Sequence, residues 1–459
     1  MKLARLSSLL REITTFGTRN GPHSNSYSSN AMLSHRSVRP SEGSRTELFR
    51  RISPIGDSKI SILPILDQWV EEGRPVDERI LKRIIRDLRC YKRYRHALEV
   101  SIWMTNKRYS NLASVDVVIR LGLITKAVGI ERAEIYFNNV PQELKDLEVY
   151  NRMLVLYYKT GNMEKFNALL QEMEENDIVC NNITFSIQLS AYASVMDIGG
   201  MDKVVTLMES DPKVVCGWYN FAIAAAGYIN AGLLDKALEM LKKAEARVPT
   251  KGCPGYGNLL IQYATIGRKD EVLRVWSLYQ KKGKIYNMGY ECMLKSLVKL
   301  GDLEIAEKIL DEWESQDLTY TVRIPNIMIG AYCRNGLFEK AETLIDRVIS
   351  KGERPDAWIW CCFSTGYFQY DQPEKAVEML KRAIVLCEAL GKQISEYLAA
   401  CLEHLKGVGD MEEVEGFIKY MSDKSIISLD IQEKVLNAIK AKESAQNGAM
   451  LALMEPEEK

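Results

Sequence analysis

The densest chemistry in this sequence is cationic. The stretch ERILKRIIRDLRCYKRYRH carries Arg79, Lys82, Arg83, Arg86, Arg89, Lys92, Arg93 and Arg95 within 17 residues, with Tyr91 and Tyr94 interleaved. Lys82, Arg86 and Arg89 stand at i, i+4 and i+7, so a helix puts them on one face. That face, with Lys92 and Arg93 at the turn after it, suits phosphate. A solvated helix face followed by a basic turn is the plainer reading of the same residues. Nucleophiles and metal ligands are less well placed. Cys361 and Cys362 are adjacent, and a helix cannot point both to one side. Cys401-x-x-His404 has helical ligand spacing but no partner pair, so a packed thiol and a surface imidazole account for it. No H-x-E precedes a C-x-x-C, no glycine-rich phosphate loop occurs, and no carboxylates pair at helical spacing inside an apolar stripe. Neither an enzyme nor a bound cofactor is expected.

The totals narrow the class. The chain has 459 residues, of which 46% are hydrophobic, a normal share for folded protein. Proline is scarce at 13, while Leu, Ala, Glu and Lys are plentiful, which favours helix. The net charge is zero but unevenly spread. Residues 1–45 hold seven basic side chains against Glu12 and Glu42, leaving 54 basic and 59 acidic in the remainder. A slightly acidic body is not a generic polyanion binder, so any nucleic-acid contact must be local. The 10 cysteines are spread out with no C-x-x-C, as buried small residues in a reducing compartment would be.

The amino terminus reads as an address. Leu3, Leu6, Leu10 and Ile13 form an apolar stripe with Arg5 and Arg11 between them, and a Ser/Asn-rich stretch follows. This is the composition of an organelle transit peptide over 1–45, and arginine entering early in an amphipathic helix favours the mitochondrial matrix over the plastid. A disordered basic tail is the alternative. No stretch reaches 18 apolar residues, so no membrane span is expected.

What positions the cationic stretch is a repeat. Gly161, Gly232, Gly267, Gly301, Gly336 and Gly409 follow one another at gaps of 71, 35, 34, 35 and 73, one or two periods of about 35. The skipped turns fall at Asp371 and in Asp197–Gly200. Aligning on these turns gives ten units: 78–112, 113–146, 147–181, 182–215, 216–252, 253–286, 287–321, 322–356, 357–394 and 395–429. A capping half-repeat is expected at 46–77, a capping helix at 430–446 and a disordered acidic tail at 447–459. Each unit predicts two helices with apolar stripes, such as Met153, Leu154, Leu156 and Tyr157, then Phe166, Leu169, Leu170 and Met173. One hairpin cannot bury both stripes, so neighbours must stack. The expected fold is all-α: an α-solenoid, a right-handed superhelix of helix-turn-helix repeats with the first helices lining its concave side. Trp103, Tyr157, Tyr192, Trp276, Trp313 and Tyr332 are then core residues.

Tetratricopeptide repeats would show a recurring Leu-Gly pair early in helix one, which is missing, and HEAT-type repeats are longer. The units resemble the pentatricopeptide repeat. The matching residues are Tyr150-Asn151 opening a helix, Lys159-Thr160-Gly161 at the turn, Met173 late in helix two, and the exit KGERPD at Lys351–Asp356. Gly217–Glu245 is a third copy. Ile65–Met104 resembles the short P-type plant branch of organelle proteins, which has no added catalytic domain. Members that carry a deaminase-like or nuclease domain need over a hundred further residues. Only 30 follow residue 429 here.

The resemblance implies single-stranded RNA as partner, with one base read per repeat by its fifth and last residues. Asparagine suits the fifth place because its amide both donates and accepts. By this likeness Asn151 with Asn181 is pyrimidine-selective, Asn326 with Asp356 is uracil-selective, and Asn220 is a further fifth-position reader. Ser186/Val215, Gly257/Tyr286, Glu291/Thr321, Cys361/Ile394 and Ala399/Leu429 depart from the pattern, and Glu291 would repel phosphate. Two functions remain open. One is an organelle RNA-binding factor for RNA processing, stability or translation. The other is a protein scaffold within a mitochondrial ribonucleoprotein such as the ribosome. No small-molecule substrate is implied.

Overall fold

The computed structural model describes residues 42–437, apart from 108, 110, 211–214, 250–253, 390–393, 396–397, 399–410 and 424–425. Residues 1–41, Ala399, Cys401, His404, Gly409 and the tail 447–459 lie outside the described residues. Every regular element among the described residues is helical. The chain is an all-α solenoid of paired helices, divided into two compact units at Ile187 and Gln188.

The first unit opens with helix Glu42–Ile52, which begins inside the expected address segment. Helix Leu63–Glu71 follows, so the expected half-repeat holds parts of two helices. The repeat pairs are Glu78–Cys90 with Tyr94–Asn106, Ser114–Val128 with Ile130–Asn139, and Leu147–Lys159 with Met163–Glu175. In the second unit the pairs include Trp218–Asn230 with Leu234–Glu245, Pro254–Thr265 with Lys269–Lys281, Asn287–Lys299 with Leu303–Ser315, Arg323–Arg334 with Phe338–Ser350, and Ala357–Gln369 with Pro373–Ala389. Residues 429–437 are helical.

One hairpin turn recurs. Gly161, Gly232, Gly267, Gly301 and Gly336 take φ values of 69° to 74°. In the turns that lack glycine, Lys92, Met196 and Asp371 adopt φ of 54°, 56° and 55°. The left-handed residue of the 182–215 unit is thus Met196, just before the stretch expected from spacing. The amide that follows each turn residue closes the helix end in Schellman fashion. Asn162, Asp197, Leu233, Arg268, Leu337 and Gln372 donate to the carbonyls of Tyr157, Tyr192, Tyr228, Tyr263, Tyr332 and Tyr367, at 2.8 to 2.9 Å.

Four of those tyrosines also fasten one repeat to the previous one. Tyr228 Oη donates to Asp202 at 2.6 Å, and Lys236 Nζ reaches the same carboxylate. Tyr332 Oη and Lys340 Nζ both meet Glu307, at 3.0 and 2.6 Å. Tyr367 Oη donates to Glu342 at 3.4 Å, with Lys375 over its ring. In the first unit Tyr157 and Lys165 share Glu134. Burial and the carboxylate together push these phenols up, Tyr367 to about 12. The motif is Tyr, then Lys eight residues on, and an acid from the preceding second helix. Trp103, Tyr157, Trp276, Trp313 and Tyr332 are buried as expected, and Tyr192 is half-buried.

Candidate nucleic-acid interface

In a first helix, residues 2, 5, 9 and 13 of the repeat fall at i, i+3, i+7 and i+11, one face. Helix Leu147–Lys159 places Glu148, Asn151, Val155 and Lys159 there. Helix Asn287–Lys299 places Met288, Glu291, Lys295 and Lys299 there, with Met288 65% exposed. Helix Arg323–Arg334 places Arg323, Asn326, Gly330 and Arg334 there. Tyr150 and Tyr290, the residues before Asn151 and Glu291, are each tied to the second helix of their own repeat. Tyr150 Oη donates to Glu172 at 3.0 Å, and Tyr290 Oη donates to Glu312 at 2.8 Å.

The fifth and last residues of 322–356 meet. Asn326 Nδ2 donates to Asp356 Oδ2 at 3.5 Å, while Asp356 Oδ1 caps the next helix through the Ile359 amide at 3.1 Å. Asn326 is 8% exposed and its Oδ1 is buried without a hydrogen-bond partner. Asn151 is likewise 8% exposed with an unpartnered Oδ1. Asn181, its expected companion, caps helix Asn182–Ser194. Its Oδ1 accepts from the Thr184 amide at 2.9 Å and the Thr184 hydroxyl at 3.0 Å.

Asn220 is placed differently. Helix Trp218–Asn230 starts later in its unit than the other first helices do, so the fifth residue becomes its third helical position. There the Asn220 Oδ1 accepts from the Gly217 amide at 2.9 Å and the side chain is fully buried. It caps a helix and presents no amide edge.

The basic stretch also divides. Arg93 is engaged within the fold. Its guanidinium donates to the carbonyls of Ile52, Ser53 and Ile55, and its Nε donates to His96 Nδ1 at 3.0 Å. It closes the end of helix Glu42–Ile52 and is half-buried, which lowers its pKa by desolvation. Lys82 is held between Glu78 at 2.9 Å and the buried Asp116 at 3.4 Å. Lys92 is exposed at the left-handed turn. Arg86 and Arg89 are half-buried. Leu81, Ile84, Ile85 and Leu88 face the core, so the outermost stripe is Arg79, Arg83 and Arg86, at i, i+4 and i+7.

A further set of cations recurs at one place within the repeat. Lys159, Lys299 and Arg334 each end a first helix, two residues before a turn glycine. Lys299 Nζ donates to Thr265 Oγ1 at 3.1 Å, and desolvation holds it below the ordinary lysine pKa. The signal was present as K-T-G, K-L-G and R-N-G, but it is spread at one cation per repeat. Among the described residues, no group of three or more His, Cys, Asp or Glu is placed to hold a metal ion. No helix among them is long and apolar enough to cross a membrane.

Comparison with known proteins places this arrangement. Residues 145–194 match the PPR repeat family model, and residues 290–318 and 324–353 match the PPR repeat model. A mitochondrial pentatricopeptide repeat-containing protein of Arabidopsis thaliana is 35% identical over 419 residues, covering 83% of this chain and 86% of the relative. Another from the same organism, also named mitochondrial, is 31% identical, covering 82% and 84%. Among solved structures, the pentatricopeptide repeat protein PPR10 from maize shares the fold at a TM-score of 0.54 and 14% identity, over 90% of this chain. PPR10 in complex with an 18-nt psaJ RNA element matches at a TM-score of 0.52 and 16% identity, and this chain spans 57% of it. The chain belongs to the pentatricopeptide repeat family.

Proposed function

We propose that the protein binds single-stranded RNA without catalysing a reaction on it, and acts in the mitochondrial matrix in RNA processing, stability or translation. The observation that carries this reading is the Asn326–Asp356 pair. It joins the fifth and last residues of one repeat and leaves the Asn326 amide oxygen unmatched. A buried acceptor without a partner costs about 1–3 kcal/mol, and Asn151 carries the same unmatched atom. A base edge supplies a donor at both places, once the amide turns outward. Lys159, Lys299 and Arg334 on the same helix face supply cations for the backbone. PPR10 has been solved with RNA, and both Arabidopsis relatives are named mitochondrial, which supports the same reading.

A second reading, a protein scaffold in a mitochondrial ribonucleoprotein, is favoured by Asn220, whose reading position has become a helix cap.

The test is selection of a randomised single-stranded RNA pool across a salt series. The expected result is a motif whose preference at one position is lost in Asn326→Ala, at about 1–3 kcal/mol for that contact. Arg83→Ala with Arg86→Ala should reduce the salt slope by about one per phosphate contact, without changing the motif. Failure to bind any RNA at low salt would leave the scaffold reading.

A further inference from the structure

Glu291 stands at the fifth position of the 287–321 repeat, where a lone carboxylate would repel nucleic acid. It is not alone. Lys295 Nζ meets Glu291 Oε1 at 2.7 Å, and Arg323 Nη2 of the next repeat meets the same oxygen at 3.4 Å. Two cations on one carboxylate leave the constellation at a net single positive charge. The geometry also sorts the charges by depth. The Glu291 side chain is 15% exposed, whereas Lys295 and Arg323 are 53% and 74% exposed. An approaching phosphate meets the cations first. Both cations bind Oε1, so Oε2 keeps acceptor capacity. The neighbouring Tyr290 is anchored to Glu312, which fixes the helix turn that carries the carboxylate. The last residue, Thr321, accepts the Arg323 amide at 3.4 Å through its hydroxyl.

We propose that this repeat is a guanine reader with Glu291 as its specificity-determining residue, an inference that rests on the RNA-binding reading above. An ionised carboxylate only accepts hydrogen bonds. Of the four unpaired bases, guanine alone presents two adjacent N–H donors on its Watson–Crick edge, N1–H and the 2-amino group. Adenine and cytosine set one amino group beside a ring acceptor. Uracil sets one N–H between two carbonyls. Each of those places a lone pair against the carboxylate. The ion pairs with Lys295 and Arg323 hold the Glu291 side chain in place, so the departure from asparagine changes the base chosen instead of abolishing contact.

The test uses the full chain. Selection from a randomised single-stranded RNA pool is expected to enrich guanine at one position of the motif. Changing that guanosine to inosine, which lacks the 2-amino group, should weaken binding by the wild-type protein about 5- to 10-fold, within the range of one good base contact. Glu291→Gln places a donor against guanine's donors. It should bring the guanine preference to within about 2-fold of the other bases and abolish the inosine effect, leaving the rest of the motif intact. Three results would overturn the proposal: an unchanged motif in Glu291→Gln, equal loss of affinity for every RNA in that variant, or inosine bound as well as guanosine by the wild type. The second would mean that Glu291 only holds Arg323 in place. Should Glu291→Gln fail to fold, the inosine comparison on the wild type still decides. Absence of binding to any RNA would defeat the underlying RNA reading and this proposal with it, and is distinguishable because no motif would emerge at all.

Discussion

The repeated hairpin turn makes a prediction whose sign reverses between repeats. Gly232 and Lys92 occupy equivalent turns at φ of 73° and 54°. A left-handed backbone costs an L-residue about 1–2 kcal/mol, whereas glycine adopts it freely but loses more freedom on folding, about 0.5–1 kcal/mol. A Cβ added at Gly232 meets no atom within 4 Å, so Gly232→Ala brings strain without a clash. The net cost of Gly232→Ala is then about 0.5–1 kcal/mol, once the stiffer unfolded chain is counted. Lys92 is exposed, so removing its side chain sacrifices little burial. Lys92→Gly should therefore stabilise by about 0.5–1 kcal/mol. Asp371→Gly should gain less, because aspartate tolerates this conformation better. The assay is urea unfolding, variant against parent, read as a shift in midpoint at unchanged slope. A lower midpoint for Lys92→Gly, or no change for Gly232→Ala, would refute the claim that these turns share one strained conformation.

Tyr332→Phe removes a buried hydroxyl that donates to Glu307 and should cost about 1.5–3 kcal/mol, the range for a hydrogen bond to a charged group. Lys340→Ala, which breaks only the half-exposed ion pair to the same carboxylate, should cost under about 1 kcal/mol, and thermal melts of both variants check the order. A pH effect is expected at Glu99. Its buried carboxylate accepts from the Ile62 amide at 2.8 Å and Ser61 Oγ at 3.1 Å, and burial pushes its pKa up from 4.5 to about 7. The folded state therefore holds the proton more tightly, so the stabilisation is complete below about pH 4.5 and is lost as pH rises through about 7. The swing amounts to at most about 3 kcal/mol. Glu99→Gln should flatten this part of the stability–pH curve between pH 5 and 8, and a difference in melting profile against the parent measures it.

The fold was legible because the turns repeat in glycine, one letter at one place, and glycine is what a left-handed turn selects. The tyrosine–lysine–acid fastenings were not. Their acid lies 23 to 26 residues upstream of the tyrosine, in the preceding repeat, and linear inspection sees it as one surface charge among many. Asn220 misled because counting residues within a unit assumes that every helix starts at the same place. A start at Trp218 moves the fifth residue into the first turn, where an asparagine caps the helix. Arg93 misled for a different reason. Backbone carbonyls at a helix end attract a guanidinium as phosphate does, and sequence cannot tell the two acceptors apart. Charge density marks the cluster around Arg86, whereas Lys159, Lys299 and Arg334, one to a repeat, leave no dense patch in the sequence.

Stacking and the fifth position use different faces of the helix pair. Stacking depends on the apolar stripes and on the fastenings at Tyr157, Tyr228, Tyr332 and Tyr367, none of which involves a fifth or last residue. In the 147–181 and 287–321 repeats the fifth residue sits on the first-helix face between an anchored tyrosine and a terminal lysine. A change there, such as asparagine to Ser186, Gly257 or Cys361, leaves the fastenings untouched. Variation at the fifth position is therefore compatible with an intact solenoid and is no measure of its stability. The same separation allows Glu291 to differ in chemistry from Asn326 one repeat later while both helices keep the same turn, ending at Gly301 and Gly336 with φ of 74° and 69°.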